Sequence, residues 1–155
     1  MNTKRTELKV SAIRNGTVID HIPSENVFQV FKILNLDNTS RQVYFGTNLD
    51  SKKYGKKGII KISNKYFENE EISKIAIVAP TATIIEIKDY DVTKKGKVTL
   101  PENINNIVKC FNPKCVTNHQ NVPTSFRVIE DHKGKMKLLC KYCEKTMGQE
   151  NIEFL

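Results

Sequence analysis

Gly16-Thr17-Val18-Ile19-Asp20-His21-Ile22-Pro23-Ser24 decides how the first hundred residues fold. Thr17 to Ile22 is dense in β-branched side chains and reads as a strand. Pro23-Ser24 then opens a helix, with Ser24 as N-cap and Glu25 in its first turn. Val27, Val30, Phe31 and Leu34 follow at helical spacing, which carries that helix to about Leu36. Upstream, Leu8, Val10 and Ala12 alternate with polar neighbours, so residues 6–22 read as extended, interrupted at Asn15-Gly16. Downstream, Gln42 to Leu49 is strand-like, Asp50 to Gly58 is a basic loop, and Ile59-Ile60-Lys61-Ile62 is a strand. Asn69, Glu70 and Glu71 suit the positive end of a second helix, Ile72, Ile75 and Ala76 give it an apolar face, and Pro80 stops it. Thr81 to Lys88 is the next strand. Strand, helix, strand, strand, helix, strand is the ferredoxin-like βαββαβ order of an α+β fold: four antiparallel strands with both helices on one face. Lys94-Lys95-Gly96-Lys97 and Pro101 mark the exit, which places a boundary near residue 100, with domains at 1–100 and 101–155.

The chain has 155 residues and a net charge of +8. Most of the excess lies before residue 100. A basic chain of this size suits a polyanion: nucleic acid, nucleotide phosphates or an acidic protein surface. No stretch approaches the roughly 20 apolar residues of a membrane span, and the first residues lack the apolar core of a signal peptide. A cytoplasmic location follows as the expectation, and there cysteines serve as metal ligands more often than as disulfides.

The strongest chemical signal is Cys110-x4-Cys115 followed, after 24 residues, by Cys140-x2-Cys143. Two close pairs, each on a tight turn, match a tetrathiolate zinc ribbon. Two disulfides, four unrelated core thiols, iron in place of zinc, or His119 replacing one cysteine are the competing readings. Residues 101–155 form a small, β-rich unit with a thin apolar complement, which is marginal for folding alone. One structural zinc supplies on the order of 10–16 kcal/mol that appears as folding free energy. Four thiolates leave no position for a reactive water, so the ion is structural.

No nucleophile–base constellation, Walker A loop or His-Glu-x-x-His helix is present in the sequence. Asp20-His21 reads as a structural pair or as recruitable acid–base groups. Lys61, inside an Ile-rich strand, either faces solvent on the open side of the sheet or awaits an anion, and Lys95 lies in the segment leaving the last strand.

Gly16-Thr17-Val18-Ile19-Asp20-His21-Ile22-Pro23, Gly58-Ile59-Ile60-Lys61-Ile62, Ala79-Pro80-x-Ala82-Thr83, Leu100-Pro101-Glu102-x-Ile104 and Cys140-Lys141-Tyr142-Cys143-Glu144-Lys145 together resemble the aspartate carbamoyltransferase regulatory chain along the whole length. That resemblance implies a non-catalytic subunit of pyrimidine biosynthesis, with an effector domain binding CTP, UTP and ATP at one overlapping site and a zinc domain docking on the catalytic chain. Carried over by position, Ala12, Ile13 and Tyr90 meet the base through backbone groups and Ile87 packs beside it. Val18, Asp20 and Val92 lie near the ribose, and His21, Lys61 and Lys95 face the phosphates. Ser11 and Ile85 depart from the family pattern, which bears on base preference. Asn48, Lys56 and Lys57 resemble the region tied to a second nucleotide. Asn112, Glu144 and Lys145 flank the zinc ligands and are the candidate contacts to the catalytic chain. The resemblance also implies a regulatory-chain homodimer pairing through the sheet of the first domain, and a hinge near residues 97–103. The competing class is a nucleic-acid-binding zinc-ribbon protein. The C-terminal region carries little of the excess charge, so neither nucleic acid nor membrane is an expected partner. An enzyme is the third and weakest class.

Overall fold

The computed structural model describes residues 12–155. The extended stretch expected over residues 6–11, Ser11 included, lies outside them. The chain divides into two compact units, the first ending at Thr99 and the second spanning Leu100–Leu155.

The first unit is built from β1 (Gly16–Ile22), α1 (Val27–Ile33), β2 (Val43–Ser51), β3 (Gly55–Ser63), α2 (Asn69–Val78), β4 (Thr83–Lys88) and β5 (Asp91–Lys97). The strands form one sheet in the order β2-β3-β1-β4-β5, antiparallel throughout. The first four strands and two helices are the ferredoxin-like arrangement. Ile19, Ile60, Ile62, Ile75, Val27 and Val30 are fully or almost fully buried and make its core. Gly58 allows the close approach of α1, because a Cβ there would run into the Val27 side chain. α2 starts with a reciprocal capping box between Glu68 and Glu71.

Three local features differ from the sequence reading. Helix α1 ends at Ile33 rather than Leu36, because Asn35 turns left-handed at φ 56° and the chain continues as a short 3-10 turn over Leu36–Asn38. Ser24 lies in a 3-10 turn, Ser24–Asn26, and makes no capping bond. The expected loop from Asp50 to Gly58 is a hairpin: Leu49, Asp50 and Ser51 pair with Lys57, Lys56 and Gly55, which leaves Lys52-Lys53-Tyr54 as the tip.

The expected exit segment is likewise the fifth strand, β5. Asp89 and Tyr90 have φ of 48° and 69°, the paired positive values of a two-residue hairpin turn. The turn is tied down by the Tyr90 amide donating to Arg14 O (2.9 Å), the Asp89 amide donating to Asn15 Oδ1 (3.0 Å), and the Arg14–Asp89 ion pair (3.1 Å). As a sheet edge, β5 is exposed along its whole length, and its lysines discourage pairing with another strand.

The second unit contains β6 (Asn103–Asn105), β7 (Val108–Lys109), β8 (Ser125–Glu130), β9 (Met136–Cys140), β10 (Thr146–Gly148) and β11 (Glu153–Phe154). Four of them form a sheet in the order β10-β9-β8-β6, and β11 pairs with β7. Ile104, Ile107, Val108, Phe126, Leu138 and Met147 are its buried apolar residues. Val128, Ile129, Met136 and Leu139 are only half-buried. The apolar core is therefore even thinner than the sequence suggests.

Candidate metal centre and effector face

Two turns bring the four cysteines together. In the first, the Cys115 amide donates to Asn112 O and the Asn118 amide to Cys115 O, both at 3.0 Å. In the second, the Glu144 amide donates to Cys140 O (2.9 Å) and the Cys140 amide to Lys145 O (3.0 Å), and Glu144 takes the left-handed conformation, φ 61°, that closes it. Cys110 Sγ and Cys143 Sγ are 3.8 Å apart, as are Cys115 Sγ and Cys140 Sγ. All four sulfurs lie within 4.8 Å of one another. Sulfurs placed about 2.3 Å from a central zinc stand about 3.8 Å apart along the tetrahedron edges. The spacing therefore fits an S4 zinc centre and excludes disulfides, whose sulfurs sit at about 2.0 Å. His119 takes no part, since its Nε2 meets Pro113 O at 2.7 Å.

Burial pushes the thiols of Cys110 and Cys140 upward. Burial also acts against ionisation of Cys143, but hydrogen bonds from the Asn112 side chain and the Lys145 amide outweigh it and hold that thiol at about 7. A divalent cation at the centre of the four sulfurs would favour the thiolate form of all of them.

The sequence reading missed two supporting side chains. Thr117 Oγ1 donates to Cys115 Sγ (3.2 Å), and Asn118 Nδ2 bridges Cys110 O (3.0 Å) and Asn112 O (2.8 Å). Both are half-buried polar residues between the pairs, with no pattern in sequence to single them out. Asn112 is buried and its amide is spent inside the turn, on the Lys114 amide (3.1 Å) and on Cys143. Glu144 and Lys145 are exposed.

In the first unit, register places the candidate effector residues. Lys61 pairs with Val18, Val18 with Ile85, and Ile85 with Lys95. Directly paired residues share a face, so a row crosses the sheet on the side away from the helices. Asp20 stands two residues beyond Val18 on the same face. Ile13, Val18 and Ile87 pack into a small apolar cluster with Tyr44, Ile59 and Ile85 against it. Val92 opposes Ile87, and Tyr90 occupies the adjacent hairpin turn. Both are well exposed, as is Ala12. Ala12, Ile13 and Tyr90 line one cavity with Gln42, Tyr44 and Asn64.

A bulge in β1 between Ile19 and Ile22 puts His21 at φ 57°. Such bulges re-aim side chains, and here the His21 ring meets Thr83 Oγ1 (3.2 Å) and the edge of Tyr54 (5.7 Å between centroids). Burial lowers the His21 pKa below its ordinary value. Asp20 opposes the shift, while Lys57, Lys53 and Lys95 add to it. Burial likewise lowers the Lys61 pKa, with Asp20 opposing. Asp20 Oδ1 accepts from the His21 amide (2.7 Å) and pairs with Lys57 Nζ (2.8 Å). The face thus gathers cations around one carboxylate. Lys53 and Lys57 belong to it but were assigned by sequence to a loop. Asn48 and Lys56 are exposed on the same hairpin, where Lys56 pairs with Asp50 (2.6 Å).

Among the described residues, no helix is long and apolar enough to cross a membrane. A family model described as the aspartate carbamoyltransferase regulatory chain, allosteric domain, matches residues 8–99. A second, described as the metal binding domain of the same chain, matches residues 102–153. The chain is 47% identical over 155 residues to the aspartate carbamoyltransferase regulatory chain of Bacteroides thetaiotaomicron, covering all of both proteins. It is 45% identical to that of Phocaeicola vulgatus, covering all of this chain and 99% of the relative. To that of Pyrococcus horikoshii it is 49% identical over 148 residues, or 94% of this chain and 96% of the relative. With both matched families naming one protein and the similarity running from end to end, the chain belongs to the aspartate carbamoyltransferase regulatory chain family, as a non-catalytic subunit with a metal-binding domain that fits one structural zinc ion.

Proposed function

We propose that residues 1–100 bind CTP, UTP and ATP on the open face of the sheet, and that residues 101–155 dock on an aspartate carbamoyltransferase catalytic chain and pass the effect on. The observation that carries the reading is the gathering of His21, Lys61 and Lys95 on one face, beside an apolar cluster containing Ile13, Val18 and Ile87. Ammonium groups meet a triphosphate as point charges, the apolar cluster suits the base, and Asp20 accepts from ribose hydroxyls. Ala12 and Tyr90, both exposed, offer backbone groups to the edge of the base, with the Tyr90 carbonyl available because its amide is held by Arg14 O, and Val92 flanks the sugar. Glu144 and Lys145, exposed on a metal-held turn, are the contacts to the catalytic chain, with Asn112 shaping that turn from within. The relatives are named as regulatory chains of this transferase, which supports a catalytic chain as the partner and the cytoplasm as the setting.

The same reading includes pairing with a second copy through the sheet. Phe45 on edge strand β2 meets Phe28 edge-on and Phe31 at a tilt, with ring centres 5.6 Å apart in each pair, and Phe28 and Phe45 are exposed. Exposed aromatic clusters beside a sheet edge favour association. An effector shifts the assembly only by binding its two global states unequally, and the segment 97–103 is the proposed hinge. The test mixes the zinc-loaded chain with catalytic trimers and records aspartate saturation with and without CTP or ATP. Complex formation with a nucleotide-dependent shift is the expected outcome. A complex whose kinetics ignore both nucleotides defeats the regulatory part of the reading.

A further inference from the structure

The β2–β3 hairpin does not project away from the sheet. Its register slips between Gly46 and Leu49, where Asn48 takes φ 58°, and the neighbouring β1 slips beside His21. Paired bulges bend and twist a ribbon. The tip consequently curls over the open face: Tyr54 sits at the edge of the His21 ring, and Lys53 Nζ lies 5.4 Å from the centre of the Tyr54 ring. Lys97 pairs with Thr83, whose hydroxyl meets the His21 ring, so the Tyr54 and Lys53 tip and Lys97 approach each other beside His21, near enough for the two lysines to perturb one another. Lys53 belongs to the hairpin of one edge strand and Lys97 to the strand at the opposite edge, so this approach spans the width of the sheet above β1 and β4. Two ammonium groups held together repel unless an anion lies between them. Below them, His21 feels the charges of Lys53, Lys57 and Lys95.

We propose that Lys53 and Lys97 form a clamp across the open face that closes on the terminal phosphate of a nucleoside triphosphate, making the site select triphosphates over diphosphates and monophosphates. This rests on the effector-site reading above and adds to it a determinant of phosphate number. Tyr54 carries the tip against His21, and the aromatic face beside Lys53 steadies its stem. The base, the ribose and the inner phosphates contact other residues, so the clamp acts on the outermost phosphate alone.

The test measures affinities of the full zinc-loaded chain for CTP, CDP and CMP by calorimetry, in wild type, Lys53→Ala, Lys53→Arg, Lys97→Ala and the double alanine variant. Losing one charge-assisted contact weakens CTP binding about tenfold, while CDP and CMP stay within about twofold of wild type. Lys53→Arg retains most of the CTP affinity, and the double variant loses less than the product of the two single losses, because each lysine needs the other. Hydrogen exchange gives an independent readout: CTP protects amides of residues 51–55 in wild type and not in Lys53→Ala. Lys53 is exposed, so its removal leaves the fold intact. Unchanged CTP affinity in Lys53→Ala, or equal weakening of all three nucleotides, overturns the clamp. A wild-type chain that binds none of the three overturns the effector-site reading itself.

Discussion

Lys57 Nζ stands 2.8 Å from Asp20 Oδ1, with both side chains about four-fifths withdrawn from solvent. The pair has two consequences at the proposed effector face. Asp20 lowers the positive potential that phosphates would feel, and it fixes the position of a carboxylate suited to ribose hydroxyls. Asp20→Asn keeps an oxygen to accept the His21 amide but removes the charge. The expected result is a gain of roughly three- to tenfold in affinity for inorganic tripolyphosphate, with a loss of preference for CTP over 2′-deoxy-CTP. Competition binding with the three ligands checks it. Asp20→Ala, which strips Lys57 and the His21 amide of their partner, costs about 1–3 kcal/mol of stability, read by denaturant unfolding.

His21 is expected to make nucleotide binding at the proposed effector face depend on pH. In the ligand-free face its pKa is lowered by burial first, with Asp20 opposing and Lys57, Lys53 and Lys95 adding to the shift. A bound triphosphate reverses the balance of nearby charge and raises it. Binding therefore takes up protons, and affinity for CTP increases as pH falls from about 8 to 6. Calorimetry in two buffers of different ionisation enthalpy detects the uptake in wild type, and His21→Gln abolishes most of it. The sign for folding is opposite. The unfolded imidazole titrates near 6.5 and the folded one below it, so the unfolded state binds more protons. This contribution to stability is complete above about 6.5 and is lost as pH falls through the lowered value.

The sequence made β1, both helices and the metal ligands readable because each rests on a local pattern: β-branched runs, helical spacing, paired cysteines. It misread Asp50 to Gly58 and Lys94 to Lys97 because these stretches carry no alternating run of buried apolar side chains. β5 is exposed at every position, so no alternation of apolar and polar residues marks it, and its hairpin turn uses Asp89-Tyr90 without a glycine. Lys53 and Lys97 were invisible as a pair for the same reason: their meeting depends on bulges at Asn48 and His21, which no composition signals. Thr117 and Asn118 matter only through hydrogen bonds to atoms that the metal turn brings near. Lys61 and Lys95 were singled out through family resemblance, and register explains why they share a face.

Removal of zinc is expected to unfold residues 100–155 and spare the first unit. The second unit buries few large apolar side chains, whereas a structural zinc contributes on the order of 10–16 kcal/mol, as much as the entire stability of an ordinary domain. Hydrogen exchange after chelation should show loss of protection in β8 and β9 with β1 and β3 still protected. Thr117→Val removes the donor to Cys115 Sγ without touching a ligand. Its zinc affinity should fall by about tenfold, measured by competition with a chromogenic chelator. Equal exchange in both units after chelation would mean that the ion does not hold the second unit alone.

Docking and metal retention should separate by residue on the second turn. Lys145 is exposed, and the structural role of its position is carried by its backbone: its carbonyl accepts from the Cys140 amide and its amide donates to Cys143. Lys145→Glu keeps both and reverses only the outward charge. Zinc content should therefore match wild type while assembly with catalytic trimer weakens, by a factor of about 10 if the lysine meets a carboxylate at the interface. Asn112 offers the contrast. Its buried side chain supports Cys143 and the Lys114 amide, so Asn112→Ala should lower zinc retention first and assembly only in consequence, with excess zinc restoring both. Sedimentation of each variant mixed with trimer, alongside metal analysis of the same samples, distinguishes the two. Normal assembly by Lys145→Glu would remove that residue from the docking surface and shift the search to other exposed groups on the metal-held turns.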